Sequence, residues 1–600
     1  MSYVYTGHEA GSVEVVGGTG GYGGSGGSGG DGYLTLWVGS DGSTHGSWTA
    51  GAVGGVGANG GIGGDASTTI QSSSIAPGGL LEVFAEGNAG GAGGQGGRGG
   101  NGGASAFDIT GAPGGVARAG GAGGAGGTGT VHVVSTHFSS GSVFASAVGG
   151  PGNAGGSGGP GGLGGPSRPP GNGGVGGNGG DGLAEFSQNA IKVAADSGTF
   201  SLSVSASAGA GEGGGSGNSG GNGGSAGSAT ADVSSNSFTG GSWNDGVTVE
   251  VHAYSEQTGP GGTGLAGGNG TSGSSGSLSV EFSSNTVTLG AGADVFELAL
   301  DADLIWGPAS HAISVSGNSV NLGLDDDIMQ IQVAGAGGLT MSGNTFDGGP
   351  GLDTLTLIGP AGPGFDLTGN TIRNFESIIG SDGDDHLVLG IGNQTIEGGA
   401  GNDVIDGGAG VDTASYASEG AVQVSLALSG PQSTGGAGTD MLTGIENLTG
   451  SSHNDTLIGN GGANALTGGA GDDVLKGNGG ADVLVGGGGK DFLSGGAGAD
   501  TFVFNAPTES TVAAVGQDTI ADFSHADGDK IDLSGMNALL GSGGSAFVLA
   551  STFTHMAGQL IEVVKPGGYL VEGDTNGDGA PDFAILVHTG APLMAADFIL

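Results

Sequence analysis

A nine-residue period in the C-terminal half restricts the fold of this chain more than any other feature. It begins at Glu397 with EGGAGNDVI and DGGAGVDTA, and resumes at Thr449. The six contiguous copies that follow read TGSSHNDTL, IGNGGANAL, TGGAGDDVL, KGNGGADVL, VGGGGKDFL and SGGAGADTF. In each copy, glycines supply turn conformations that other residues avoid. The last three residues form a short strand with one inward apolar side chain. Those inward residues are Ile405, Leu457, Leu466, Leu475, Leu484 and Leu493.

These eight copies resemble the RTX nonapeptide GGxGxDxUx of secreted bacterial proteins. The resemblance implies a parallel β-roll in which two nonapeptides complete one turn and Ca²⁺ lies between turns, on carboxylate and carbonyl oxygens. The implied ligands are Asp403, Asp412, Asp455, Asp473, Asp482, Asp491 and Asp500. Two half-sites are expected to be weaker, because Asn464 replaces the aspartate in one and TGSSHNDTL lacks two glycines. Gly-Asp turns that close a solenoid without metal are the alternative.

The region after the repeats resembles the C-terminal part of serralysin-type RTX proteins. The segment between the two repeat blocks resembles the connecting segment of RTX proteins, and the elements follow one another in the same order. The resemblance covers residues 397–600 and implies an uncleaved type I secretion signal. A further D-x-N-x-D-G-x-x-D run resembles an EF-hand loop, although Ile585 stands where that loop has its bidentate Glu. Its candidate calcium ligands are Asp574, Asn576, Asp578 and Asp582. An Asx-rich turn without metal is the alternative.

A longer period precedes the nonapeptides. Asn318, Asn344 and Asn370 follow one another at intervals of 26 residues, each between short alternating strips. The same landmark continues upstream at Asn189, Asn236 and Asn285. A unit of this length with short strands and Asn or Gly turns is typical of one rung of a β-solenoid.

Glycine-rich tracts lengthen the upstream rungs at one place in each. Examples are residues 208–230 and 256–276, and the tract that starts at Gly149 adds a proline-rich tip at residues 166–170. A Gly-Gly-X period fits a polyproline-II-type helix with three residues per turn, so a ten-residue leg reaches roughly 30 Å. We expect ordered, stacked legs; flexible Gly/Ser loops are the alternative. The tract GGTGGYGGSGGSGGDG from Gly17 is interpreted as the first of the series.

The predicted fold is all-β: an elongated parallel β-solenoid with Gly-rich, polyglycine- or polyproline-II-like excursions, continuing into an RTX parallel β-roll. We divide the chain into a Gly-rich solenoid (1–295), a solenoid without long insertions (296–396), a calcium-binding roll (397–504, interrupted at 415–448) and a C-terminal cap with the secretion signal (505–600). Degenerate Gly-Asp turns end at Asp245, Asp294, Asp353 and Asp385. For these turns, calcium binding and a turn without metal are equally compatible with the sequence.

The charge composition of the chain indicates which kinds of partner it can bind. Only 9 Lys and Arg stand against 56 Asp and Glu, which argues against nucleic acid and anionic membranes and favours divalent cations. Without cysteine there is no disulfide framework and no Cys-ligated zinc. The N-terminus lacks the features of a Sec signal peptide, and no apolar run is long enough for a membrane span. We therefore expect calcium ions and the type I secretion machinery as partners, and a secreted, extracellular location.

Catalytic motifs are weak. The one His-Glu pair, His8-Glu9, lacks the second histidine of HExxH, so the zinc-protease interpretation fails. A β-helix joined to RTX repeats also resembles alginate epimerases and polysaccharide lyases. Those enzymes use a cluster of carboxylate, His and basic residues, yet Arg373 is the single Lys or Arg between Lys192 and Lys476. We expect a non-enzymatic structural or adhesive surface or matrix protein, whose partner is a cell-surface glycan or another copy. A polysaccharide-modifying β-helix enzyme and an ice-binding protein remain the alternatives.

Overall fold

The computed structural model describes residues 125–600 and, before them, the backbone of short strands up to residue 86. Breaks in the described part fall at 135–136, 140, 149–150, 152–173, 194–198, 217–218, 256–257, 264–268, 305–310, 335–337, 361–362 and 540–546. Most of the tract from Gly149 with its proline-rich tip, and the tract from Gly17, lie outside the described residues. The chain forms two compact units, residues 1–351 and 352–600. The finer four-part division stays a prediction.

Unit 1 contains three parallel sheets, and a complete rung contributes one strand to each sheet. The first sheet contains Val4–Tyr5, Ala66–Gln71, Gly129–Val134, Gly182–Ser187, Ala229–Ser234, Leu278–Ser283, His311–Ser316 and Gly338–Ser342. The second contains Ser74–Ile75, His137–Ser139, Ala190–Lys192, Ser237–Thr239, Thr286–Thr288, Ser319–Asn321 and Thr345–Asp347. The third contains Gly79–Glu86, Gly141–Val148, Thr199–Ser207, Gly246–Ser255, Val295–Leu304 and Ile328–Ala334. An antiparallel pair joins Tyr33–Val38 to Thr44–Thr49.

Strict alternation builds the core of unit 1. In Thr199–Ser207 the apolar side chains are buried and the serines between them point outward. Phe200, Leu202 and Val204 are at most 1% exposed. Because successive rungs pair in register, like positions stack on one another; Leu202 lies beside Val249 of the next rung. The solenoid predicted from the spacing is thereby confirmed.

The asparagine landmarks of unit 1 form a buried ladder at one corner of the solenoid. Its members are Asn189, Asn236, Asn285, Asn318 and Asn344. Asn285 shows the pattern: its backbone N–H and its side-chain amide both donate to Oδ1 of Asn318, at 2.9 and 3.1 Å. The same amide donates to the carbonyl of Val233, at 2.9 Å. The amide thus satisfies backbone groups that the turn removes from the sheet.

Where they are described, the glycine tracts are ordered legs. In the leg 219–228, the N–H groups of Gly224 and Gly227 donate to Glu212 and Gly209 of the leg 208–216. Gly223 N–H donates to the carbonyl of Thr271 in the leg 269–277. These contacts repeat every three residues, the period of polyproline II. The stacked legs predicted from the sequence are confirmed for these residues.

Where two legs contact each other, the residues must be glycine because there is no room for a side chain. A Cβ atom at Gly224 would overlap the carbonyl oxygen of Gly177 and lie 3.1 Å from the amide nitrogen of Asn178. We expect Gly224→Ala to destabilise unit 1 by about 1–3 kcal/mol, the usual cost of overpacking. The neighbouring Ser225→Ala is the control, and its cost should stay below about 1 kcal/mol, because water can replace the exposed hydrogen bonds of its hydroxyl group to Ser274. Equal denaturant midpoints for the two variants would contradict close packing of the legs.

Unit 2 consists mainly of parallel rungs of short strands. Antiparallel pairs join Gln432–Gly435 to Gly438–Thr443, Gln559–Lys565 to Gly568–Asp574, and Gly568–Asp574 to Phe583–Val587. One row of strands contains Thr354–Ile358, Ser377–Ile379, Thr395–Glu397, Thr413–Ser415, Asn447–Thr449, Ala465–Ala470, Val483–Gly488, Thr501–Val503, Lys530–Asp532 and Phe598–Ile599. A second contains Pro363–Asp366, Asp384–Val388, Val404–Asp406, Gly438–Thr443 and Gln432–Gly435. A third contains Gln423–Ser425, Thr456–Ile458, Val474–Gly479, Phe492–Ala497, Thr519–Ile520, Phe583–Val587, Gly568–Asp574, Gln559–Lys565 and Val548–Leu549. Thr371–Arg373 is one further strand, Ser534–Leu539 is an α-helix and Ala595–Asp597 a 3₁₀-helix.

The nonapeptides of unit 2 form a roll with a narrow core. Leu466 pairs with Leu484 and Leu475 with Leu493, so equivalent residues lie 18 positions apart and two repeats complete one turn. The inward residues predicted from the repeat are at most 1% exposed. The roll is therefore confirmed. Among the described residues, no helix has the length and hydrophobicity needed to cross a membrane.

Candidate calcium centre

Glycine conformations close each turn of the roll. Gly469 and Gly471 have φ of +108° and +125°, and Gly487 and Gly489 of the turn above have +98° and +140°. These angles lie where side chains with a Cβ are strained, which explains the glycines at the third and fifth positions of the repeat. Because equivalent turns stack on one another, the aspartate that follows each turn lies on the same side of the roll as the aspartate 18 residues later.

The repeat aspartates stack in columns. Asp455 N–H donates to Oδ1 of Asp473 at 2.8 Å, and Asp473 N–H donates to Oδ1 of Asp491 at 2.9 Å. On the other side, Asp482 N–H donates to Oδ1 of Asp500 at 2.9 Å. Each of these acceptor aspartates thus uses one carboxylate oxygen to bind a backbone N–H of the preceding turn.

The second oxygen of most of these aspartates is buried and, within the described residues, has no hydrogen-bond partner. These are the Oδ2 atoms of Asp403, Asp412, Asp473, Asp482, Asp491 and Asp500. Buried oxygens of this kind are costly unless a donor or a cation meets them. Six of the seven repeat aspartates predicted as ligands share this property.

A carbonyl oxygen of the next turn lies near the carboxylates of Asp473 and Asp482. A Cβ atom at Gly468 would overlap Oδ2 of Asp473 and lie 2.6 Å from the carbonyl oxygen of Gly486, one turn away. Gly477 has the same relation to Asp482 and to the carbonyl of Gly495, again at 2.6 Å. The second position of the repeat therefore requires glycine, because a side chain would fill the space that the oxygens share.

Burial raises the pKa values of these carboxyl groups. It raises the pKa of Asp473 to about 7, with the charges of Asp491 and Asp455 adding to the effect. Burial likewise raises the pKa of Asp403 to about 8 and that of Asp482 to about 6. Carboxylates in such positions favour the proton or a cation over the free charged form. A divalent cation is the partner that keeps them ionised near neutral pH.

The two half-sites predicted to be weaker differ structurally from the others. Both oxygens of Asp455 accept hydrogen bonds from Ser451, Oδ2 from its N–H and Oδ1 from its hydroxyl group. The side-chain amide of Asn464 donates to the carbonyl of Glu446 at 2.6 Å. Asp385, in a degenerate turn, is bound by the N–H and hydroxyl of Ser381. In these three turns, polar groups of the protein itself bind the side-chain atoms that are left without a partner in the other turns.

Three column residues were missed by the sequence analysis. Asp440, Asp518 and Asp529 accept the backbone N–H groups of Asp403, Asp491 and Asp500 through Oδ1. They follow their partners by 37, 27 and 29 residues instead of 18, so they lie outside the nonapeptide register. A local signal was present, because each aspartate is followed by the x-U pair of the nonapeptide: DML, DTI and DKI.

The EF-hand-like loop is held by its own backbone. Asp574 is fully buried, and its oxygens accept the N–H groups of Gly577 and Gly579 at 2.6 and 2.8 Å. Asp582 accepts from Asn576 Nδ2 at 2.8 Å, and Asp578 Oδ1 accepts the N–H of Ala580. Calcium binding by Asp574, Asn576, Asp578 and Asp582 stays a prediction.

The donor set of the roll fits calcium. In the part of the chain that the structure describes, no group of three or more His, Asp or Glu side chains converges on one point. A cation between turns must therefore take carboxylates from neighbouring turns and complete its shell with carbonyl oxygens. Calcium accepts six to eight oxygen ligands of mixed type and tolerates irregular geometry, whereas zinc prefers nitrogen and sulfur.

Comparisons with known proteins point to the same ion. The family model described as Peptidase M10 serralysin C terminal matches residues 437–600, and that of the RTX calcium-binding nonapeptide repeat (4 copies) matches residues 378–414. Two solved subunits of the Azotobacter vinelandii mannuronan C5-epimerase, R2 and R3, are 26% and 31% identical. They cover 26% and 25% of this chain and 91% and 80% of their own, each with a TM-score of 0.20. No curated protein matches the chain significantly. The chain thus carries RTX repeats, which bind calcium, and a C-terminal region of the serralysin type.

Proposed function

We propose that the protein is a secreted structural or adhesive component of the cell surface or extracellular matrix, in which the roll binds calcium and the glycine legs form a binding layer. The observation that carries this proposal is the outer face of the legs. There, polar side chains stand at every third residue and in register between legs. Two rows are entirely polar, and the third begins with an apolar residue: Asn222, Ser225 and Ser228; Thr271, Ser274 and Ser277; and Val175, Asn178 and Asp181.

Hydrogen bonds fix these side chains in place. Asn178 Oδ1 accepts the N–H of Ser225 at 2.9 Å, and Asn222 Oδ1 accepts that of Thr271 at 3.1 Å. The hydroxyl groups of Ser225 and Ser274 are 2.8 Å apart. An ordered array of hydroxyl and amide groups loses little conformational entropy on binding, which favours recognition of a surface rich in hydroxyl groups.

Charge supports the same interpretation. The chain has a net charge of −47, but among the described leg residues only Asp181 and Glu212 are ionisable. A neutral layer on so acidic a protein allows a polysaccharide to approach without repulsion. Type I export, supported by the serralysin-type C-terminal region, would place this layer outside the cell.

Binding to immobilised polysaccharides tests the proposal. The full-length, calcium-loaded protein is passed over dextran and alginate, beside a Ser225→Glu/Ser274→Glu variant that places two charges on the layer. A Ser237→Glu/Thr239→Glu variant, with the same charge change on exposed positions of a strand, is the control. We expect retention of the parent and the control, and loss of retention in the layer variant. Equal retention of all three proteins would contradict the proposal, and soluble sugar released from alginate would favour an enzyme.

A further inference from the structure

The turns of unit 1 that end at Asp245 and Asp294 reproduce the aspartate column of the roll. Asp245 N–H donates to Oδ1 of Asp294 at 2.6 Å, and Asp294 N–H donates to Oδ1 of Asp327 at 2.7 Å. These residues are separated by 49 and 33 positions, so the 18-residue register of the roll is absent. The matched family segments begin only at residue 378.

Backbone features of the roll recur in these turns as well. A Cβ atom at Gly290 would overlap the carbonyl oxygen of Gly241 in the preceding turn, as a Cβ at Gly469 would overlap that of Ser451 in the roll. Gly292 has φ of +120°, close to the +125° of Gly471. The turn of Asp294 therefore shares the close carbonyl contact and the second left-handed glycine of the roll, although Gly290 lacks the positive φ of Gly469.

The residue before the aspartate completes the likeness. Asn244 Oδ1 accepts the N–H of Ala293 in the next turn at 3.2 Å. In the roll, Asn454 Oδ1 accepts the N–H of Asp472 at 2.9 Å. This hydrogen bond fixes the spacing between successive turns, and so the gap in which a cation would lie.

Unpartnered carboxylate oxygens point to the ligand. Asp245 and Asp294 are 2% and 1% exposed. Within the described residues, Oδ1 of Asp245 and Oδ2 of Asp294 have no hydrogen-bond partner. In the roll, the N–H and the hydroxyl of Ser451 cap both oxygens of Asp455. Gly241 stands at the equivalent position here, and its N–H donates only to Oδ2 of Asp245, at 2.5 Å, which leaves Oδ1 without a partner among the described residues. Two buried carboxylates with one free oxygen each, beside carbonyl groups, match the donor set of calcium.

We propose that unit 1 binds calcium between the turns 240–245 and 289–294, with Asp245 and Asp294 as the carboxylate ligands and backbone carbonyls completing the shell. The site adds a metal to the part of the chain that bears the glycine legs. Its ion stabilises the corner from which the leg-bearing rung 246–288 starts, independently of the roll.

Trp243 gives a local readout, because it lies within the turn and is 60% exposed. Terbium(III) serves as the calcium probe, with emission sensitised by tryptophan excitation in the full-length protein. We expect emission that calcium displaces, and its loss in Trp243→Phe. We also expect Asp294→Asn to weaken terbium binding on the order of tenfold by removing one ligand charge. This variant keeps Oδ1 as the acceptor for Asp245 N–H, so the fold is retained.

Controls separate this site from the roll and from the leg layer. Asp181→Asn removes the same charge from an exposed leg position and should leave the emission unchanged. Asp473→Asn, in the roll, should also leave it unchanged while lowering the total calcium stoichiometry. Emission that is the same in Asp294→Asn and the parent, or that persists in Trp243→Phe, overturns the proposal. Polysaccharide retention does not enter this readout, so failure here is distinct from failure of the proposed function.

Discussion

Removal of calcium with excess EGTA is expected to unfold the roll of unit 2, and added calcium to refold it. Six repeat aspartates of the roll each have a buried carboxylate oxygen without a hydrogen-bond partner among the described residues, and only 9 basic residues oppose 56 acidic ones. A site filled at about a thousand times its Kd adds about 4 kcal/mol to the folded state. Several sites together therefore reach the about 5–15 kcal/mol that a domain has in total.

Hydrogen exchange and far-UV circular dichroism measure this effect. Amides of residues 465–503 should be protected in calcium and exchange freely in EGTA. Magnesium should not replace calcium, because it prefers a regular octahedral shell and gives up water reluctantly. Asp482→Ala should shift the calcium midpoint upward. Asp472→Asn, which removes a charge at an exposed position but keeps the acceptor for the N–H of Lys490, should shift it little. A spectrum that EGTA leaves unchanged would refute calcium-coupled folding.

Substitution of Asn285 by alanine is expected to have the second largest effect. The change removes the acceptor of two buried N–H groups of Asn236, its backbone amide at 3.0 Å and its side-chain amide at 3.0 Å. Each buried donor that loses its partner costs about 1–3 kcal/mol, so unit 1 should lose about 2–6 kcal/mol.

The matched control is Asn222→Ala, on the exposed face of the leg layer. Asn222 also accepts a backbone N–H, that of Thr271, but water can replace it there. Its cost should stay below about 1 kcal/mol. Guanidinium unfolding of both variants gives the comparison. If Asn285→Ala unfolds at the same denaturant concentration as Asn222→Ala, the ladder does not contribute as described.

The repeats could be predicted from the sequence because they are periodic in residue type. Leucine every 18 residues on each face, and asparagine every 26 to 49, follow from positions that must face the same neighbours in every rung. The legs could be predicted for a related reason, since only glycine allows two Cα atoms to approach as closely as those of Gly223 and its neighbours do.

Hydrogen bonding between rungs could not be predicted in the same way. The spacing places Asn285 and Asn318 at equivalent corners, but not the direction in which each amide points. Asp518 and Asp529 escaped notice because loops of variable length precede them, and the column is set by the strand they begin rather than by a fixed interval. Which carboxylates are capped by serine, as Asp455 is, also depends on geometry that a pattern does not contain.

Both columns of inward side chains have a direction. In unit 1 the ladder asparagines donate their amides to the next asparagine along the chain. In unit 2 the repeat aspartates donate their N–H groups to the acidic residue that follows in the column, a glutamate in the case of Asp412. A rung thus supplies acceptors to its predecessor and needs acceptors from its successor. If assembly starts at the later rungs, each added rung finds acceptors for its N–H groups already in place. If it starts at the earlier rungs, the N–H groups of the last rung added have no acceptor until the next rung forms. Unsatisfied carbonyl or carboxylate acceptors are better tolerated than buried N–H groups. Each stack is therefore easier to shorten at its first rung than at its last.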